Sequence, residues 1–415
     1  MKKQLLLILA ITFLANFKNA AYSQSSTTIS DSIYSKTLNE HRDFWVQLPE
    51  NYNPKSDDLK YPVVYLLDGF SLQDELSMVY RNYWGHYLPN MILVGISNSN
   101  NRTRDLTTSQ IKMRRGTSMD QDTGGAENFT QFIEKELMPH IDTKYLTTSY
   151  RTLIGHSYAG LFTINILVNH AHLFKNYIAI DPSIEWDGQK LLKEAKAKLQ
   201  SENYKGKSLF VSLAAEQLHM WDETITINNI MEDKSEFTLF ARSIIEFSKF
   251  AETKTQNGLN FSWKVYPEDL HGTVPLPSMR DGLVFLFKWY QFKNPPKYNN
   301  PETTIAELTD LLKTQESIYT NNFGYPTPPM IEELFSAYGY MNMQMGSPEK
   351  AEFFFKLGIK YYPNNANNYD SLAEYYQSQN DTKNALKYVA KAYEISGSNQ
   401  HKERAEKLKS KLKEN

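Results

Sequence analysis

The 415-residue sequence contains no cysteine. This absence excludes disulfide bonds, thiolate metal sites, a cysteine nucleophile and a lipid anchor on cysteine. Lysine and arginine (45 residues) nearly balance aspartate and glutamate (47 residues), and no basic tract interrupts this balance. We therefore expect no nucleic acid partner. Beyond the N-terminus the chain also lacks an apolar run long enough to span a membrane.

The first 24 residues, "MKKQLLLILAITFLANFKNAAYSQ", place two lysines before an apolar run, and small residues follow it. This order is typical of a secretory signal peptide, and the run is too short for a permanent membrane helix. Ala21 and Ser23 predict cleavage before Gln24, so residues 1–23 form the predicted signal peptide. We therefore expect an exported protein, either periplasmic or secreted.

Strand-like and helix-like segments alternate between residues 30 and 292. The strand-like segments are short runs rich in Val, Ile, Leu and Tyr, as expected for strands buried on both faces. They lie at 44–49, 61–69, 91–97, 150–155, 177–181, 208–214 and 261–267. Helical periodicity marks 128–141, 158–170 and 280–290. The alternation predicts an α/β domain with a mostly parallel sheet and helices on both faces.

A Pro/Asn-rich linker at 293–303 separates this domain from a region at 304–415 that contains an internal repeat. Seven positions recur 34 residues later, from Phe335, Tyr338, Gly339, Ala351, Phe355, Gly358 and Pro363 to Tyr369, Leu372, Ala373, Ala385, Val389, Ala392 and Gly397. The period resembles the tetratricopeptide repeat and predicts a small all-α domain. Another antiparallel helical pair that packs small residues would give a similar pattern. The repeats are candidates for binding a protein partner or for self-association.

The segment "YRTLIGHSYAGLF" places Ser157 between a predicted strand and a predicted helix. In this context a serine lies on a tight turn with its hydroxyl above the carboxyl edge of the sheet. Gly155 and Ala159 are the small residues that let strand and helix approach each other. The amide of Tyr158 would then donate to the oxyanion of a reacting ester. We predict that Ser157 is a nucleophile; the alternative is an N-cap serine.

A serine nucleophile needs a base, and around such an elbow the chain order is nucleophile, acid, histidine. Of the nine histidines, His219 and His271 satisfy this order and the expected sheet edge. His271 is the better candidate because it follows a predicted strand and precedes a predicted helix. The alternative is a capping or surface histidine.

The acid is expected after the predicted strand 208–214, where Glu216 comes first. A carboxylate there would hold the imidazole in the correct tautomer. Asp222, Glu268 and Asp269 are alternatives, as is a Ser–His pair that acts alone. A second oxyanion donor is expected after an earlier strand, where the turn "LLDGF" offers the amide of Phe70.

Residues 30–292 resemble the Putative esterase family of α/β-hydrolases, which includes enterobactin-type siderophore esterases, feruloyl esterases and antigen 85 mycolyltransferases. The resemblance rests on "VVYLLDGF", "NRTRDLT", "FIEKELMPHIDTKY", "IGHSYAG", "DPSIEWD" and "LHGTVPLPSMRDGLVFLF". It implies an α/β-hydrolase fold and a serine carboxylic-ester hydrolase without metal or other cofactor. It also implies the triad Ser157, His271 and Glu216, and an oxyanion hole formed by the amides of Phe70 and Tyr158.

The resemblance further implies that Arg104, Ser183 and Trp186 lie beside the substrate. Arg104 belongs to an Arg–Asp pair that we interpret as bracing the neighbouring loop. The chain departs from the family at Ala159, where glycine is usual, and at Asp181, where serine often precedes the proline. The second departure would alter the acyl or alcohol pocket.

We expect a small-molecule ester substrate, and siderophore or carbohydrate esters both fit an exported esterase. The first alternative is acyl transfer to another alcohol on the same fold. The second is a non-catalytic binding or scaffold protein whose helical repeats carry the function.

Overall fold

A computed structural model of the chain describes residues 28–50, 52–54, 59–85, 87–114, 116–219 and 222–414. The predicted signal peptide, 1–23, lies outside these residues. These residues divide into two compact units: those up to 54 with 60–82 and 90–286, and residue 59 with those from 83 to 89 and from 287 to 414. None of the helices described is both long and apolar enough to cross a membrane.

A single mixed sheet forms the centre of the first unit. The strands of this sheet are β1 (Thr28–Ser35), β2 (Glu40–Gln47), β3 (Tyr61–Leu66), β4 (Ile92–Ile96), β7 (Thr147–His156), β8 (Asn176–Ile180), β9 (Ser208–Ala214) and β10 (Asn260–Tyr266). The strands β5 (Met113–Arg114) and β6 (Thr117–Ser118) form a separate small hairpin. The eight sheet strands that the structure describes lie in the order β1-β2-β4-β3-β7-β8-β9-β10. The β1–β2 and β2–β4 pairs are antiparallel, and the other pairs are parallel.

Helices cover both faces of this sheet, which confirms the predicted α/β-hydrolase fold. They are α1 (Gln73–Tyr83), α2 (Arg102–Leu106), α3 (Ala126–Phe132), α4 (Met138–Lys144), α5 (Tyr158–Asn169), α6 (Trp186–Ser201), α7 (Leu239–Glu252) and α8 (Pro275–Leu286). A π-helical turn, Ile133–Leu137, joins α3 to α4. Ten of the twelve residues of α5 are buried, as its apolar sequence requires of a central helix.

The parallel strands position the site. Because β3, β4, β7, β8, β9 and β10 all run in one direction, their carboxyl ends meet at the same edge of the sheet. Open α/β sheets bind their ligands in the crevice at this edge. The loops that follow these six strands therefore carry the candidate site residues.

The second unit contains the helical C-terminal region that the sequence predicts. Its described helices are α9 (Ile305–Phe323), α10 (Glu332–Gln344), α11 (Pro348–Tyr361), α12 (Ala366–Ser378), α13 (Thr382–Ser396) and α14 (Asn399–Glu414). The starts of α10 and α12, at 332 and 366, lie 34 residues apart, as do those of α11 and α13, at 348 and 382. A Cβ on Gly339 would lie 2.4 Å from the Phe355 ring, so a small residue there allows α10 to pack closely on α11. The spacing agrees with the repeat period; the tetratricopeptide assignment remains a prediction.

Candidate active site

Ser157 lies on a strained turn between β7 and α5. Its φ and ψ are 62° and −116°, a conformation that L-residues adopt at a cost and that concentrates at functional sites. A Cβ on Gly155 would lie 2.2 Å from the carbonyl oxygen of Ala159, so only glycine fits without a shift of the backbone. Ala159 itself is fully buried. The two small residues therefore permit the sharp turn, as the sequence predicts.

His271 lies in the loop between β10 and α8, and its imidazole pairs with Asp181. The Nδ1 atom of His271 is 2.6 Å from Oδ2 of Asp181. Asp181 directly follows β8 and is fully buried, and its Oδ1 accepts the N–H of Ala214 at 3.0 Å. Burial raises the pKa of Asp181, while the contact with His271 acts in the opposite direction.

The pairing with Asp181 corrects the prediction that Glu216 is the acid partner of His271. Glu216 begins a short 3₁₀ helix after β9, and it is exposed. Asp181 follows β8 and Glu216 follows β9, and these neighbouring strands both end beside His271. The carboxylate of Asp181 is the one that contacts the imidazole. Two of the alternative acids are bound locally, since Asp222 accepts the hydroxyl of Thr224 and Asp269 that of Thr273.

Ser183 lies beside the nucleophile, in the loop that follows Asp181. Its Oγ is 3.4 Å from Oγ of Ser157, and its N–H donates to the Ser157 carbonyl at 3.0 Å. The side chain of Ser183 is almost completely buried, with 1% of its surface exposed. The N–H of Ser183 therefore helps to fix the backbone of the nucleophile. Its place in the substrate pocket remains a prediction.

The peptide between Gly69 and Phe70 has a defined orientation. The carbonyl of Gly69 accepts the indole N–H of Trp45 at 2.8 Å, and a Cβ on Gly69 would lie 2.4 Å from the Gly95 backbone. Since the C=O and the following N–H of a trans peptide point in opposite directions, the Phe70 amide faces away from Trp45. The oxyanion role of the Phe70 amide remains a prediction.

The amide of Tyr158 is oriented by the same principle. The carbonyl of Ser157 accepts the N–H groups of Leu161 and Ser183, both at 3.0 Å. The Tyr158 N–H belongs to the same peptide and therefore points the other way, beyond the N-terminal end of α5. The positive end of the helix dipole also lies there and favours developing negative charge.

Two arginines flank the ring of Tyr158. The guanidinium carbons of Arg102 and Arg114 lie 5.3 Å and 4.9 Å from the ring centroid. Arg102 makes bonds of 2.8–3.0 Å to the carboxylate of Asp68, and Arg114 pairs with Glu185 at 2.5 Å. Two cations that lie more than 40 positions before Ser157 in the sequence are thus next to the nucleophile in the fold, each beside its own carboxylate.

Trp186 forms part of the same cluster. Its ring lies 5.3 Å from that of Tyr158 in an edge-on arrangement, and the guanidinium of Arg114 lies 5.4 Å from it. Only 1% of the Trp186 surface is exposed. The residue therefore packs against Tyr158 and Arg114 from the buried side. Its predicted contact with substrate remains a prediction.

Arg104 lies in a network that braces α2. Its guanidinium bonds Glu40 at 2.6 Å and Asp105 at 2.8 Å, and the fully buried Asp105 also pairs with Arg42. These contacts agree with the interpretation of Arg104 as a bracing residue. Its predicted contact with substrate remains a prediction.

A cleft opens next to the nucleophile at the carboxyl ends of β3, β4 and β7. The residues that line it are Asp68, Phe70, Ser71, Leu72, Asn98, Ser99, Arg102 and His156. Phe70 is 48% exposed despite its large apolar ring. An exposed aromatic residue beside polar groups is typical of a binding site for a small molecule.

Comparisons with known proteins identify the family of the chain. The family described as "Putative esterase" matches residues 35–239, which include Ser157 and Asp181. The chain is 30% identical over 210 residues to the ferri-bacillibactin esterase BesA of Bacillus subtilis (strain 168), covering 47% of this chain and 72% of the relative. It is 26% identical over 177 residues to the apo-salmochelin esterase of Escherichia coli O6:H1, covering 40% of this chain and 54% of that relative.

Solved structures give the same result. The IroE-like serine hydrolase from Shewanella oneidensis superposes with a TM-score of 0.65 and 27% sequence identity, over 81% of this chain and 100% of that one. The sheet topology and the strained serine at the carboxyl end of β7 agree with such a hydrolase. The chain therefore belongs to the Putative esterase family and is an ester hydrolase.

Proposed function

We propose that the protein hydrolyses carboxylic esters with a catalytic triad of Ser157, His271 and Asp181. The observation that carries this proposal is the 2.6 Å contact between the His271 imidazole and the buried Asp181 carboxylate, at the sheet edge where the strained Ser157 lies. An Nδ1–H donated to Asp181 leaves Nε2 of His271 as the acceptor for the serine proton.

The reaction follows from these roles. Ser157 Oγ attacks the ester carbonyl as His271 takes its proton, and a tetrahedral oxyanion forms. The amides of Phe70 and Tyr158 donate hydrogen bonds to this oxyanion. His271 then protonates the leaving alkoxide, and an acyl-enzyme remains. Water, deprotonated by His271, attacks the acyl-enzyme and forms a second tetrahedral oxyanion. Its collapse breaks the bond to Ser157 Oγ, which takes the proton back from His271, and the acid is released.

We propose siderophore esters as the substrate class. Two relatives carry names that place them as siderophore esterases, BesA for ferri-bacillibactin and the other for apo-salmochelin. Arg102 and Arg114 beside Tyr158 support the same class, because guanidinium groups next to an aromatic face bind planar and anionic groups. Export remains a prediction from residues 1–23 and agrees with a substrate that circulates outside the cytoplasm.

The test of the chemistry compares the wild-type protein with Ser157→Ala on short-chain p-nitrophenyl esters. We expect a loss on the order of 10⁴-fold in kcat, and labelling of the wild type alone by a fluorophosphonate probe. Ser183→Ala is the matched control, since it removes a neighbouring hydroxyl 3.4 Å away, and we expect it to label. Equal rates for the wild type and Ser157→Ala would contradict the proposal.

The test of the substrate class uses a panel of esters at equal concentration. It contains a catecholate trilactone, a hydroxamate siderophore ester, a feruloyl ester and p-nitrophenyl butyrate, with products separated by chromatography. We expect kcat/KM for one siderophore class to exceed that for the feruloyl ester by at least about tenfold, about 1.4 kcal/mol of transition-state discrimination. A preference for the feruloyl ester would contradict the siderophore proposal and leave the triad intact.

A further inference from the structure

His156, the residue before the nucleophile, contacts the imidazole that we propose as the base. The ring centroids of His156 and His271 lie 4.4 Å apart, and the ring planes are inclined by 39°. Phe240 meets His271 edge-on, with 5.6 Å between centroids and an angle of 86°. Together with Asp181 at Nδ1, these two rings surround the imidazole.

His271 lies on a surface loop whose hydrogen bonds, such as Leu270 N–H to Thr273 Oγ1 at 3.0 Å, restrain the backbone and leave the imidazole to contacts of its own. Leu270, Gly272 and Thr273 are all exposed, and 36% of the His271 side chain is exposed. The bond to Asp181 restrains the imidazole at one ring atom. The contact with His156 adds a restraint on the ring face, and the two together hold the direction of Nε2.

His156, in contrast, is anchored to the sheet. It is the last residue of β7 and pairs in register with Ile180 of β8. Its carbonyl accepts an N–H of Arg102 at 3.2 Å, and Arg102 is itself fixed by Asp68. The ring of His156 therefore offers a rigid surface to a residue on an exposed loop.

The burial and the neutral charge of the His156 side chain favour contact with His271 through the ring. Its Nε2 is buried and has no hydrogen-bond partner among the described residues. Burial lowers the pKa of His156 to about 3, and the proximity of His271 and Arg102 contributes. The ring is thus neutral near pH 7 and does not repel the imidazolium that forms on His271. Among the charged groups next to the two histidines, Asp181 bonds His271, and Arg102, which pairs with Asp68, bonds the His156 carbonyl.

We propose that His156 is a positioning residue for the base: its neutral ring supports one face of the His271 imidazole and keeps Nε2 directed at Ser157. This proposal rests on the proposed function, because it takes His271 as the base. It assigns the effect to the aromatic surface of His156; the hydrogen bond between His156 and the His271 backbone is a second contact, which His156→Phe removes while it keeps the ring.

The experiment compares His156→Phe with His156→Ala in the full chain. Phenylalanine keeps a flat ring, so we expect kcat/KM on p-nitrophenyl butyrate to stay within about threefold of the wild type. Alanine removes the support, and we expect a loss of about 10²-fold, mainly in kcat, as for a misplaced catalytic group. His172→Ala is the control for loss of a histidine, since that side chain is 63% exposed and pairs with Glu134.

A second measurement reads the imidazole directly. The proton shared by His271 and Asp181 gives a low-field proton NMR signal, which we expect to persist in the wild type and His156→Phe and to broaden or disappear in His156→Ala. Equal damage in both variants, or a wild-type rate and signal in His156→Ala, would overturn the proposal. The signal requires no substrate, so it is independent of the fluorophosphonate test of Ser157. If the positioning role fails, Ser157 still labels; if the proposed nucleophile fails, the signal can still respond to His156→Ala.

Discussion

Asp181 and His271 lie 90 positions apart in the chain, yet Oδ2 of one is 2.6 Å from Nδ1 of the other. The carboxylate also receives the N–H of Ala214, so a buried charge is compensated on both oxygens. Such compensation is what makes a buried carboxylate tolerable. The bond from Ala214 to Oδ1 also orients the carboxylate so that Oδ2 points at the imidazole.

The first prediction separates Asp181 from Glu216. Asp181→Asn keeps the shape of the side chain but removes its charge, so the imidazolium loses its stabilising partner and the tautomer is no longer fixed. We expect kcat/KM to fall by about 10²- to 10⁴-fold. Glu216→Gln makes the same chemical change at an exposed position and should leave the rate unchanged. A large loss with Glu216→Gln and none with Asp181→Asn would restore the assignment made from the sequence.

The acid illustrates what sequence reasoning could and could not supply. The succession of strands along the chain and the loop that carries His271 follow from hydrophobic runs and turn residues. The structure contains all of the predicted strands. The adjacent strands β8 and β9 both end beside His271, so a carboxylate after either one can reach the ring. Which one does so depends on burial and on a backbone donor such as Ala214, and these are tertiary properties.

Other differences have similar physical causes. The edge strand β1 was absent from the prediction because its sequence, "TISDSIYS", is mostly polar and only partly buried. Arg102 and Arg114 lie twelve positions apart and carry no common motif, yet α2 and the β5–β6 hairpin bring both to Tyr158. The elbow at Ser157 could be predicted because its requirements are local: a strand, a glycine, a serine and a helix.

The second prediction concerns the two small residues at the elbow. Gly155→Ala places a methyl group 2.2 Å from the Ala159 carbonyl, which displaces α5 from β7 and misplaces Ser157. We expect kcat/KM to fall by about 10²-fold and stability to fall by about 1–3 kcal/mol. Ala159→Gly removes a methyl group without a clash and should keep the rate within a few-fold. Fluorophosphonate labelling rates for the two variants provide the measurement, and equal rates would contradict the close-packing explanation.

The third prediction concerns acid stability. The pKa of His156 is about 3 in the folded state and about 6.5 in an unfolded chain. Between these values the unfolded state binds more protons, so His156 lowers the free energy of unfolding as the pH falls from 6.5 toward 3. His156→Phe removes this dependence. We expect the decrease in that free energy from pH 7 to pH 4.5 to be about 2 kcal/mol smaller in His156→Phe than in the wild type.

Chemical denaturation at the two pH values measures this difference, and His172→Ala serves as the control. That exposed histidine pairs with Glu134 at the surface, so its removal should leave the acid dependence close to that of the wild type. An acid dependence in His156→Phe as steep as that of the wild type would show that His156 titrates normally in the folded protein.

The fourth prediction concerns Arg114 and the choice of ester. Its guanidinium contacts Tyr158 and Trp186 and pairs with Glu185, in a position next to the nucleophile but apart from the triad. Arg114→Met keeps the length and the apolar contacts of the side chain and removes its charge. If Arg114 contacts a planar, anionic acyl group, kcat/KM for a catecholate ester should fall by about 10-fold or more. The rate with neutral p-nitrophenyl butyrate should change little.

The ratio of the two rates is the decisive quantity, because a general loss of folding or of the triad would lower both together. Arg280→Met provides a matched control, since Arg280 is a partly exposed arginine that pairs with Asp281 in the middle of α8, and its ratio should equal that of the wild type. An unchanged ratio in Arg114→Met would mean that Arg114 only supports Tyr158 and Trp186. The selection of siderophore esters would then have to arise in the cleft lined by Phe70 and Arg102.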